Sequence, residues 1–298
     1  MKKLISILLA ACLIACLAAL PAMAAESSPF APPANLDQLS QAEQLAYFNL
    51  VANRVRAEKP GFAQRELLYI GDMQFGGILS SVKDIVGLIM DQLMPAEWMY
   101  RTIENGQDNA GLFLSENPNA SDLTPQDITA ICCTKEGNNY VIEVGIAPAI
   151  NPAKGMASSI GRIAPMQTRE EIIEDITVAG GITISRGNTT VQYYNGTIRA
   201  TVNPEGKVIF AELGFLVHVQ ANAVRVSVIS MDMAVTQSSK WQYAAFDWTD
   251  DPVPLPDDPA VKQPLPPPPL VPGSWYTNLP AWLRFILRYI LFGWLWMN

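Results

Sequence analysis

Charge is scarce in this 298-residue chain. Asp, Glu, Lys and Arg make up 16% of it, while hydrophobic residues reach 49%. That ratio excludes global disorder and leaves enough apolar side chains for a sizeable core. Positive charge is scarcer still: 20 Lys and Arg stand against 28 Asp and Glu, for a formal net charge of −8. A nucleic-acid binder needs a basic stripe to meet phosphates, so that class is set aside. Histidine occurs once and cysteine four times, too few for a His/Cys metal centre, and no metal or cofactor is expected. The chain also lacks G-x-S-x-G, Walker A, G-x-G-x-x-G, EF-hand and H-E-x-x-H motifs. No Ser/His/Asp or Cys/His set is indicated by spacing, and the expectation is a protein that is not an enzyme.

The N-terminus is built as a targeting segment. Lys2 and Lys3 precede an apolar run over residues 4–20, and Ala22-Met23-Ala24 has the small-x-small form accepted by signal peptidase. Residues 1–24 are therefore read as a signal peptide, with Ala25 as the mature start. A rival site exists: Leu13-Ile14-Ala15-Cys16 resembles a lipobox, which would place a lipid on Cys16. Either processing route exports the protein, to the cell surface, a membrane-associated position or the medium.

Proline is concentrated at the other end. Ten of the 23 residues in 251–273 are proline, out of 23 in the whole chain. Proline fixes φ and removes a donor, so neither helix nor central strand is expected there. The segment reads as an extended polyproline II spacer with a reach on the order of 70 Å; the alternative is a ligand for a Pro-binding module. Beyond it, residues 274–298 read as an aromatic amphipathic helix, with Asn278 as its cap and Pro280 in its first turn. Trp275, Tyr276, Trp282, Tyr289, Trp294 and Trp296 suit a headgroup boundary. Arg284 and Arg288 share one face and can reach anionic headgroups. The 16 residues 282–297 would span only ~24 Å as a helix, short of a hydrocarbon core. The expectation is a helix lying in a membrane interface, with docking on an envelope protein and a tilted membrane span as the alternatives.

Between these ends, residues 25–250 read as an α+β domain. Ser40-Gln41-Ala42-Glu43 is a capping box, and Leu45, Phe48, Ala52 and Val55 follow at helical spacing until Lys59-Pro60-Gly61. A second amphipathic helix is expected over about 78–94, and residues 101–127 read as loop. Strand character begins near Ile128, with a hairpin around residues 135–139. Thr168-Arg169-Glu170-Glu171 is a second capping box. From Thr189 onward the pattern has period two. The predicted architecture is N-terminal helices packed on an antiparallel β-meander, then the Pro-rich linker and the C-terminal helix.

The strand over 207–220 stands apart. Ile209, Ala211, Leu213, Phe215, Val217 and Val219 line one face. The second face is also apolar at Val208, Phe210 and Leu216, interrupted by Glu212 and His218. That face needs a cover. Loops 101–127 and 145–167 are one candidate. The other is an apolar ligand such as a lipid, bound at Val208, Phe210, Leu216 and His218. Cys132 and Cys133 are adjacent on a strand, so they point to opposite faces and read as free thiols.

Three short pieces carry a resemblance. Ala57-Glu58-Lys59-Pro60-Gly61-Phe62, Leu123-Thr124-Pro125 and Phe292-Gly293-Trp294-Leu295-Trp296 look like parts of secreted cell-envelope proteins of clostridia-like Gram-positive bacteria. The helix-plus-sheet outline is similar to lipoprotein carriers of the LolA/LppX type. These resemblances imply an envelope location. The expected function is an exported, envelope-associated, non-catalytic binding or structural module. A carrier of an apolar ligand is the alternative, and a hydrolase the third reading.

Overall fold

A computed structural model of the chain describes residues 28–76, 96–109, 113–114, 123–178, 182–183, 185–226, 229–261, 265–266 and 268. The first helix, α1 (Gln41–Glu58), starts where the capping box places it. The Ser40 hydroxyl accepts from the Glu43 amide while the Glu43 carboxylate accepts from the Ser40 amide. Leu45, Phe48, Val51, Ala52 and Val55 are buried on one face, and Lys59 ends the helix in the left-handed region at φ 48°. Helix α2 (Arg169–Val178) is opened in the same way by Thr168 and Glu171. The expected helix over 78–94 lies outside the described residues.

The expectation of N-terminal helices on a late-starting meander is overturned. The described residues form one antiparallel sheet of nine strands, with only two α-helices beside it. In chain order the strands are β1 (Phe62–Phe75), β2 (Trp98–Ile103), β3 (Ile128–Glu136), β4 (Asn139–Ile146), β5 (Ala149–Ile150), β6 (Ile182–Thr183), β7 (Thr189–Val202), β8 (Val208–Val226) and β9 (Ile229–Ala244). Their spatial order is β2-β1-β9-β8-β7-β4-β3, with short β5 and β6 pairing β7 and β8. Strands therefore begin at Phe62, immediately after α1. The chain's first strand pairs with its last, Ala63 opposite Ala244. The physical reason for the misreading is local. In β1, Gln64, Glu66, Leu68 and Ile70 alternate with Ala63, Arg65, Leu67 and Tyr69, so both faces mix polar and apolar residues and period two is hidden.

Alternation holds in β8 from Ala211 through Leu213, Phe215, Val217 and Val219, all in the main core. These side chains, with Ile198, Ala200, Ile142 and Val144, form the inner face. Helix α1 lies over β3 and β8 on that side. Ile160, Ile163, Ala164, Met166, Phe113 and Leu123 join the same core. The loops expected to cover the second face of β8 thus contribute to the first. An aromatic cluster closes one end: Phe62, Phe113, Tyr243 and Phe246 meet with ring centroids 5.1–6.0 Å apart.

Register shifts interrupt β1, β3, β7 and β8, and each adds local twist. Between β8 and β9 the chain reverses, with Val226 paired to Ile229.

Candidate functional site

Of the four expected ligand-binding residues, Val208 parts from the other three. The shift between Thr201 and Val202 pairs Val202 with Val208 and Thr201 with Phe210, so Ile209 is the extra residue and Val208 turns into the main core. Phe210 is half-buried opposite Thr201. Leu216 is buried opposite Tyr194 and Ser238, outside the main core, on the outer face. His218 is buried on the same face, and its Nδ1 lies 2.9 Å from Thr236 Oγ1. Burial pulls its pKa down to about 4, against a smaller upward pull from Asp72, so the imidazole is neutral at pH 7.

The outer face carries a polar row that follows the register across the sheet. Arg65, Gln242, Glu212, Arg199 and Glu143 are successive cross-strand neighbours on β1, β9, β8, β7 and β4. Arg65 Nε donates to Gln242 Oε1 at 2.7 Å, and Gln242 Nε2 donates to Glu212 Oε2 at 2.5 Å. Lys240 Nζ lies 3.0 Å from Glu212, and Arg199 lies 3.1 Å from Glu143. Beside this row, Leu67, Tyr69, Leu216 and Tyr194 are buried.

The Pro-rich segment returns across this face and touches Tyr194. The Ala245 amide donates to the Val253 carbonyl at 2.6 Å, which starts the return of the chain. Trp98 Nε1 on β2 then donates to the Asp258 carbonyl at 2.8 Å. Lys240 Nζ stands 3.7 Å from the Asp258 carboxylate. Leu265 sits directly on the backbone of Gly71, where a Cβ would overlap its Cγ and Cδ1. Tyr194 OH on β7 donates to the Pro266 carbonyl at 2.9 Å. The arm read as a free-standing spacer is a strap fastened across β2, β1, β9 and β7. Arg65 stacks its guanidinium 4.0 Å from the Trp98 ring centroid and so holds the indole in place.

At the Tyr194 end the strap borders a surface groove of about 350 Å³, lined by Thr129, Gly145, Ile146, Pro148, Tyr194, Asn195, Gly196, Thr197 and Pro266. The shift between Tyr194 and Thr197 opens this groove, with Asn195 at φ 55°.

Titratable groups with shifted pKa values are dispersed. Burial raises Glu66 on the inner face, against a hydrogen bond from Trp241. Burial also pushes the Cys133 thiol up to about 12; both Cys132, exposed, and Cys133, buried, are free thiols on opposite faces. For Asp127, burial acts upward but is outweighed by hydrogen bonds from Thr124 and Ser159 and by Arg162, so its pKa is lowered. Among the described residues there is no group of His, Cys, Asp and Glu able to hold a metal ion, and no helix is long and apolar enough to cross a membrane. The expected membrane-contact residues, Trp275, Tyr276, Trp282, Arg284, Arg288, Tyr289, Trp294 and Trp296, lie outside the described residues.

Sequence reasoning missed Trp98, Arg65, Gly71 and Tyr194. A signal was present in the Pro-rich tract itself. Leu255 and Leu265 are aliphatic residues that a solvated spacer does not need, and both are half-buried. No family model, curated protein or solved structure matches the chain.

Proposed function

We propose that the protein is an exported, envelope-associated binding or structural module without catalytic activity, held at a membrane surface or an envelope protein by its aromatic C-terminal segment. The observation that carries this reading is the fastening of the Pro-rich strap. Tyr194 on β7 holds Pro266, eight positions ahead of the start of the tryptophan- and arginine-rich stretch 274–298. The seven residue steps from Pro266 to Gly273 would reach on the order of 20 Å in polyproline II form, so the head would sit close to whatever holds the tail. A head carried this way presents a constant orientation, which suits a surface module more than a freely swinging one. Packing of the inner face against α1 and residues 160–166 supports a binding module over a lipid carrier. The basic n-region and small-x-small site support export.

Fractionation of the native host tests the tether. Deleting residues 274–298 should move the protein from the membrane fraction to the soluble or secreted fraction. Unchanged partitioning rejects the tail as the anchor.

A further inference from the structure

The strap is held chiefly through its main chain. Trp98 and Tyr194 are aromatic donors, and each gives its hydrogen to a carbonyl of a proline-rich segment, at Asp258 and Pro266. A polyproline II chain makes no internal hydrogen bonds, so its carbonyls are free to accept. Surfaces that read such chains use aromatic donors spaced along an apolar track. The outer face has this construction. Its track is Leu67, Tyr69 and Leu216, all buried, with Gly71 leaving room for one aliphatic side chain, Leu265.

The dimensions agree. From β2 to β7 the path crosses four inter-strand spacings, roughly 19 Å. The eight residue steps from Asp258 to Pro266 reach about 25 Å in polyproline II form but only about 12 Å as an α-helix. A charged contact fixes direction: Lys240 faces the Asp258 carboxylate at the Trp98 end.

We propose that the outer sheet face is a recognition surface for proline-rich, extended peptides, and that the chain's own Asp258, Leu265 and Pro266 occupy it as an intramolecular ligand. The sequence it reads has the form Asp-Pro, then five residues, then Leu-Pro, as in Asp258-Pro259 and Leu265-Pro266. A partner protein carrying such a segment competes with the strap. The strap therefore both selects the partner and sets the threshold for its entry. This supplies the binding half of the proposed function. It does not depend on the membrane half, so the fractionation test and the following one fail separately.

The probe is a labelled synthetic peptide of residues 251–268. In the full-length wild-type chain the covalent strap acts at an effective concentration on the order of 1 mM, and added peptide competes poorly. In the full-length chain with Leu265→Asp and Pro266→Gly, the peptide should bind at least ten times more tightly than to wild type. Adding Tyr194→Phe to that variant should weaken binding about fivefold or more, as should replacing the peptide's prolines by alanine. Absence of binding by a variant that keeps the wild-type circular dichroism and melting curve overturns the proposal. So does an alanine-substituted peptide that binds as well as the parent, or a Tyr194→Phe change without effect. Should the strap variant fail to fold, the wild-type chain decides. A spin-labelled peptide at a few millimolar should broaden the Trp98 indole N–H resonance, and an unbroadened resonance rejects the surface.

Discussion

Replacing Gly71 with alanine acts on the strap through one atom. Gly71 lies at the register shift between Ile70 and Asp72 in β1 and has no positive φ, so the backbone accepts alanine. The added Cβ overlaps Leu265 Cγ and Cδ1. The isobutyl group must leave its seat. Full burial of a leucine contributes about 1.5–3 kcal/mol, and Leu265 is half-buried, so its displacement costs about 1 kcal/mol of strap closure. Alanine for glycine also stabilises the whole domain by about 0.4–1 kcal/mol through the unfolded chain. The two effects separate by observable. Global melting should move by no more than about 2 °C, because the terms oppose each other in a domain of this size. Strap opening should rise about fivefold. Hydrogen exchange of the Trp98 indole N–H, which donates to Asp258, reads that opening directly. Restoring room with Leu265→Ala in the Gly71→Ala background should recover part of the protection. Unchanged indole exchange in a folded Gly71→Ala protein would refute the seating of Leu265 on β1.

The remaining expectations concern other parts of the molecule. His218 resists protonation down to about pH 4 in the folded state, whereas its unfolded pKa is near 6.5. The unfolded chain binds more protons in that window, so stability should fall as pH drops from about 6.5 toward 4, by a total on the order of 2–3 kcal/mol. Urea titrations of a His218→Gln variant at pH 7 and 4.5 should lack that part of the slope; an identical slope rejects it. The Asp127 carboxylate joins Thr124, Ser159 and Arg162 with its pKa lowered, so its contribution is present above the unfolded pKa and lost as pH falls through the folded one. Asp127→Asn should cost about 1–3 kcal/mol at pH 7, with the difference from wild type vanishing in strong acid. Thermal melts across that pH range check the sign. Mass spectrometry of the mature N-terminus should find Ala25, and a diacylglyceryl group on Cys16 would overturn that cleavage.

Local signals were read correctly where a short motif decides the backbone. Ser40 with Glu43 and Thr168 with Glu171 start their helices as the capping box requires. Gly137, at φ 62°, lies between β3 and β4, and Gly206, at φ 72°, closes the β7–β8 turn. The architecture was not legible, because it depends on pairing between distant strands. Arg65 and Glu66 look like solvated helix or loop residues until β1 is placed between β2 and β9, where one packs on Trp98 and the other approaches Trp241. Val208 was assigned to the wrong side because a single extra residue, Ile209, reverses the alternation. The strap was unreadable for a related reason. Proline content predicts an extended conformation, but what the chain lies against depends on Gly71 and Tyr194, 194 and 72 residues away from Leu265 and Pro266 respectively.

The pairing of β1 with β9 also governs when this sheet can form. During synthesis or threading from the N-terminus, β1 emerges early and has only β2 for a neighbour until Ala244 and the strand before it have followed. Its other edge stays open through that interval, a template for mispairing and aggregation. Completion of the fold therefore belongs to the finished chain. Any cell that makes this protein must keep a long, open-edged ribbon from pairing wrongly until β9 arrives.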